Sequence, residues 1–117
     1  MKKNWGKLAS INLYHCDTKK LRNKKCMREY LKILCKNIDM EPHGKPYVER
    51  FGDGTLEGIS AMQFIETSSI TIHCDEIEDR IFIDIFSCKD FDAEKALRCS
   101  KKYFNSKKEK MWVKLRS

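Results

Sequence analysis

The chain has no apolar run approaching the ~18 residues of a membrane-spanning helix. Its first ten residues, MKKNWGKLAS, carry lysines but no long apolar stretch. No signal peptide is read there, and a cytoplasmic protein with no membrane association is expected. No Cys-x-x-Cys pair occurs among the cysteines at 16, 26, 35, 74, 88 and 99, which argues against a zinc ribbon or a thioredoxin-like motif. No metal is expected. Without a secretory signal the cysteines are expected to be free thiols, most of them small fillers of the core. There is no internal repeat and no low-complexity segment. What remains is 117 residues, 41% hydrophobic and 35% charged, the make-up of one soluble globular domain spanning 1–117.

The formal net charge of +7 invites a nucleic-acid reading, and its distribution argues against a simple one. Residues 1–50 carry 13 Lys/Arg against 5 Asp/Glu, and residues 97–117 carry 8 against 1. Residues 51–96 carry 3 against 11. The basic segments read as solvated helix faces and a tail. They match no nucleic-acid motif and have few interleaved aromatics, so no nucleic-acid partner is expected. The acidic middle suits a site for a small cationic ligand.

Periodicity sets out the elements. Leu8–Tyr14 reads as a strand, and Asp17 as the N-cap of a helix running to about Ile38. Met27, Leu31, Leu34 and Ile38 recur at helical spacing and form its buried stripe. Residues 41–46, with Pro42, Gly44 and Pro46, form a loop. Strands follow at Tyr47–Phe51, Ile59–Ile65 and Ser69–Cys74, the last two joined through Glu66-Thr67-Ser68. Gly52-Asp53-Gly54 is a turn signal. In the strand Ile81–Phe86 the three isoleucines share one face, and Phe82, Asp84, Phe86 and Cys88 the other. Asp92 caps a second helix with Ala93, Ala96, Leu97 and Phe104 on one side. Met111–Leu115 is a final strand. The order β-α-β-β-β-β-α-β predicts an α+β fold, a largely antiparallel sheet with two helices on one face. The other face is then bare, and a second copy is expected to cover it.

The stretch TSSITIHC, Thr67 to Cys74, places two serines at the head of a strand and His73 near its tail. Cys88 ends the next apolar run. Taken singly, Ser68 and Ser69 are ordinary turn residues, His73 a strand-end histidine and Cys88 a buried filler. Their joint spacing is less ordinary. Ser68, Thr71-Ile72-His73 and Asp84-Ile85-Phe86-Ser87-Cys88 together resemble the prokaryotic S-adenosylmethionine decarboxylase proenzyme family, a pyruvoyl-dependent group. Gly58-Ile59-Ser60 resembles that family's Gly-Val-Ser, and Arg50-Phe51 its Arg-Phe. Asp92-Ala93-Glu94-Lys95-Ala96 resembles its Asp-Pro-Trp-Lys-Ala, and Leu13-Tyr14-His15-Cys16-Asp17 fits its first strand. The resemblance covers nearly the whole chain.

The resemblance implies a fold, a reaction and a set of roles. The fold is a four-stranded or larger antiparallel sheet, dimerising sheet to sheet, with each site near the interface and built from both protomers. A decarboxylase must hold the electrons left when CO₂ departs, and unmodified side chains offer no good sink. The family makes its own from a serine. Here Ser68 Oγ attacks the carbonyl carbon of Thr67, turning the amide into an ester. Elimination then gives dehydroalanine, which hydrolyses to a pyruvoyl group. Cleavage at Thr67/Ser68 yields a β chain 1–67 and an α chain 68–117. Ser60 and His73 assist the processing, His73 also as an acid–base group. The substrate's amine forms a Schiff base with the pyruvoyl carbonyl. Cys88 protonates the α-carbon after CO₂ leaves. Phe51 and Glu76 are the candidates for substrate contact. The product would serve spermidine synthesis.

Three departures bear on these roles. Thr67 stands where the family usually has glutamate before the cleaved serine. Cys74-Asp75-Glu76-Ile77 stands where it has Thr-Trp-Pro-Glu, and the loop after Phe51 is longer. Two alternatives stay open. One is a relative that decarboxylates arginine or ornithine, which Asp75, Glu76, Glu78 and Asp79 would suit. The other is a relative that never cleaves and binds a partner.

Overall fold

The computed structural model describes residues 4–117. Six strands form one antiparallel sheet: β1 (Gly6–Tyr14), β2 (Tyr47–Phe51), β3 (Gly58–Ile65), β4 (Ser68–Asp75), β5 (Arg80–Ser87) and β6 (Lys108–Arg116). Their order across the sheet is β2-β3-β4-β5-β1-β6. The two α-helices are α1 (Lys24–Asn37) and α2 (Ala93–Phe104). Alternation explains which side of the sheet is covered. Ile59, Ala61, Ile70, Ile72, Ile81, Ile83, Ile85, Ala9, Ile11 and Leu13 are all buried on one face. Met27, Leu31, Leu34 and Ile38 from α1 meet them, as do Ala96 and Phe104 from α2. Each such aliphatic side chain contributes about 1.5–3 kcal/mol when fully buried. The opposite face keeps Tyr47, Phe51, Met62, Phe64 and Trp112 exposed.

Three local expectations are corrected. Asp17 does not cap the long helix. It accepts from the N–H groups of Lys19 and Lys20 and starts a short 3-10 turn, Lys20–Arg22. Asn23 then caps α1 by accepting from the Cys26 N–H. The chain therefore makes a separate turn, which buries Leu21, before the helix begins. The last strand is longer than Met111–Leu115 because its backbone pairs with the whole of β1, from Tyr14↔Lys108 to Gly6↔Arg116. Ser68 belongs to β4, so the β3–β4 link is two residues, Glu66-Thr67. Neither has a positive φ, so the turn is not one of the primed types that match strand twist.

Gly58 shows how tightly β3 is drawn against β4. A Cβ there would lie 2.5 Å from the Cys74 carbonyl oxygen. Only glycine permits that approach without one strand moving.

Candidate functional site

The register of β3 and β4 places Ser60 directly opposite His73. Ser60 Oγ lies 2.9 Å from His73 Nδ1, within hydrogen-bond range. Both side chains stand on the bare face of the sheet. Around them Tyr47, Glu49, Phe51, Met62 and Thr71 line a shallow concavity of about 270 Å³. Phe51 and Tyr47 are exposed there and offer aromatic faces.

Glu76 sits beyond this pair in the turn after β4, mostly buried. Its Oε2 is 2.7 Å from an Arg50 guanidinium nitrogen and its Oε1 3.7 Å from Arg22. The adjacent Glu76 carboxylate pushes the Arg50 guanidinium above its ordinary value. Glu76 is thus already matched by two cations, an arrangement the sequence did not disclose.

Ser68 lies at the other end of β4. It is five residues from His73, about 16 Å at the usual strand rise, and on the opposite face. Its own neighbourhood is polar and specific. The Cys88 N–H donates to the Thr67 carbonyl at 3.0 Å. Thr67 Oγ1 lies 2.7 Å from Ser87 Oγ, and 3.4 Å from the Met40 sulfur. Ser87 is fully buried and opposite Ser68 in the register. The turn is anchored outside as well. The Glu66 N–H donates to the Glu41 carbonyl at 2.9 Å, and the Glu66 carboxylate meets His43 Nδ1 at 2.7 Å.

Cys88 is exposed, unlike the buried Cys16 and Cys35. It opens into a concavity of about 270 Å³ lined by Trp5, Gly6, Lys7 and Asp90. Trp5 stacks on Phe86 at 5.8 Å and walls this end of the bare face. Burial pushes the Cys16 and Cys74 thiols up to about 12, each raised further by neighbouring acidic groups. They serve as core filling, as the sequence suggests.

The predicted residues therefore fall into two groups. Thr67, Ser68 and Cys88 gather at one end of the sheet, and Ser60, His73, Phe51 and Glu76 at the other. A surface depression of about 530 Å³ along Asn23, Cys26, Glu29 and Lys32 holds none of them. Among the described residues, no group of three or more His, Cys, Asp or Glu is placed to hold a metal ion. Sequence reasoning missed Met40, Ser87 as a partner of Thr67, and the Cys88 N–H. The first two are ordinary residue types far apart in sequence, and the third is backbone.

An antiparallel six-stranded sheet with two helices on one face defines the α+β class to which the fold belongs. The same architecture occurs in the crystal structure of the adenosylmethionine decarboxylase from Aquifex aeolicus VF5. That structure aligns with a TM-score of 0.84 at 21% identity, over 99% of this chain and 93% of that one. No curated protein sequence matches the chain. The family model for S-adenosylmethionine decarboxylase matches residues 7–117. The chain belongs to the S-adenosylmethionine decarboxylase family.

Proposed function

We propose that this chain cuts itself between Thr67 and Ser68 and then decarboxylates S-adenosylmethionine in the cytoplasm, supplying spermidine synthesis. The observation that carries the reading is the 3.0 Å bond from the Cys88 N–H to the Thr67 carbonyl, beside Ser68. When Ser68 Oγ attacks that carbonyl carbon, negative charge develops on an oxygen that already faces a donor. The peptide nitrogen leaves and the chain continues through an ester. The residues present fit a pyruvoyl group: the serine heads a strand, and Ser87 and Cys88 flank it. Once formed, that group supplies an electrophilic carbonyl and a sink for the electron pair released with CO₂. Cys88 Sγ, exposed at the same end, delivers the proton to the α-carbon.

Ser60 and His73 cannot reach Ser68 within one chain. A second copy laid over the bare face, related by a two-fold axis across the strands, brings its His73 end over the end of the first copy's sheet where β4 begins. The site forms as Ser68, the first residue of that strand, turns from the helix side toward that face. The exposed Tyr47, Met62, Phe64 and Trp112 give that contact its apolar area. In such a dimer each site takes Ser68 and Cys88 from one protomer and Ser60, His73, Phe51 and Glu76 from the other. Two aromatic rings and Met62 around one concavity suit an adenosyl sulfonium. Glu76, already paired with Arg50 and Arg22, keeps little charge for an arginine or ornithine substrate.

The test is release of labelled CO₂ from carboxyl-labelled S-adenosylmethionine, arginine and ornithine offered separately. Release from the first alone is expected, with none from Ser68→Ala. Release from an amino acid and not from S-adenosylmethionine would reassign the substrate.

A further inference from the structure

Thr67 is the residue whose carbonyl must be attacked, and its side chain is held in a cluster of hydrogen bonds. The Lys89 N–H donates to Ser87 Oγ at 3.0 Å. Ser87 Oγ and Thr67 Oγ1 are 2.7 Å apart, and Thr67 Oγ1 lies 3.4 Å from the Met40 sulfur. Each hydroxyl has one proton. Ser87 Oγ also lies 3.8 Å from the same sulfur, so one hydroxyl donates to Met40 and the other to its neighbouring hydroxyl. The Lys89 N–H, the two hydroxyls and the Met40 sulfur thus form one closed cluster in which both hydroxyl protons are used. It joins three separate parts of the fold: the end of β5, the β3–β4 turn, and the segment after α1. Ser87 is fully buried and Met40 nearly so, so neither is a solvated bystander.

The side-chain bond and the backbone bond grip the same residue from the same strand end. Ser87 fixes the Thr67 side chain, and the next residue, Cys88, donates its N–H to the Thr67 carbonyl at 3.0 Å. Ladder pairing of Ser68 holds one side of the Thr67–Ser68 peptide plane, and the side-chain bond adds a second point of attachment on the Thr67 side.

We infer that Ser87 is a positioning residue for self-cleavage, its hydroxyl clamping Thr67 so that the scissile carbonyl stays aimed at the Cys88 N–H. This rests on the self-processing reading above. Ser87 touches no substrate and transfers no proton to the reacting atoms. Its contribution is to keep the carbonyl within reach of its donor while Ser68 Oγ adds to it. The threonine before the cleaved serine then has a specific partner, and its hydroxyl is part of the device.

The test follows cleavage over time by intact mass, after release from a denatured, freshly made precursor. Four chains are compared: wild type, Ser87→Ala, Ser87→Thr and Thr67→Val. Loss of one buried hydrogen bond predicts roughly five- to tenfold slower cleavage in Ser87→Ala. Thr67→Val keeps the β-branched shape, removes only the hydroxyl, and should be slowed to the same degree. Ser87→Thr keeps the hydroxyl and should restore the rate. The double variant Ser87→Ala/Thr67→Val should be slowed by less than the product of the two single effects, because the Ser87–Thr67 bond is common to both. Hydroxylamine distinguishes the step, since it cuts an ester but not an amide. The slowed variants should stay resistant to it, because the clamp acts before the acyl shift. Thermal melts of uncleaved Ser68→Ala with and without Ser87→Ala report any general loss of stability. If wild type cleaves and Ser87→Ala or Thr67→Val keeps pace, the inference fails and self-processing stands. A wild-type chain that never cleaves sinks both.

Discussion

At the scale of single residues, the two parts of Cys88 do different work and can be separated. Its backbone N–H faces the Thr67 carbonyl, and its side chain opens to solvent. Cys88→Ala keeps the N–H, so the chain should still cut, while turnover of the cut enzyme falls steeply. Normal turnover by that variant would remove the thiol from the mechanism. Cys88→Pro removes the N–H. Self-cleavage should then slow by about 10²-fold or more, the usual cost of losing an oxyanion donor. Cleavage of the Pro variant at the wild-type rate would show that the bond is incidental. The thiols give a second residue-scale expectation. Burial holds Cys16 and Cys74 protonated in the folded chain up to about 12, against 9.0 for an ordinary thiol. Raised folded values mean that the stability they contribute is complete below about 9 and declines between about 9 and 12. Alkylation at pH 8 should modify Cys88 well before Cys16 and Cys74, and melting temperature should fall as pH rises through that window.

At the scale of elements, the register between β3 and β4 carries the Ser60–His73 contact, and Gly58 lets the two strands approach at its end. Gly58→Ala puts a methyl 2.5 Å from the Cys74 carbonyl, so one strand must move. A loss of about 1–3 kcal/mol in denaturant unfolding is expected, with activity falling further than stability accounts for. Unchanged stability would mean that the strands part at no cost. The elements also show what the sequence made legible. Alternation in Ile81-Phe82-Ile83-Asp84-Ile85-Phe86 announced both faces of β5, and the spacing of Met27, Leu31 and Leu34 the buried stripe of α1. Ser60, Ser68, His73 and Cys88 are singled out by their resemblance to a family pattern, since each taken alone is an ordinary residue of its element. The cap was misread because Asp17 and Asn23 are both good capping residues, and only the burial of Leu21 decides that the chain turns once before α1. The clamp on Thr67 was invisible because it joins residues 40, 67, 87 and 89, and half of the donors concerned are backbone N–H groups.

At the scale of the whole molecule, Ser68 and Cys88 lie at one end of the sheet and Ser60 and His73 at the other, and the sheet leaves one face bare. Under the proposed function, two copies work together across that face. The proposal predicts complementation: Cys88→Ala and His73→Ala, each impaired alone, should regain activity when co-expressed. In the mixed dimer one of the two sites takes an intact Cys88 from one protomer and an intact His73 from the other. No recovery in demonstrably mixed dimers would mean that each site is built within one chain. Everything in the account depends on the cut itself, so the most direct measurement is the intact mass of the purified protein under denaturing conditions. The expected result is two fragments, residues 1–67 and residues 68–117, the second with an N-terminus blocked to sequencing by its pyruvoyl group. A single uncut chain of 13.9 kDa, persisting after long incubation, would contradict the account and point to a family member that binds without reacting.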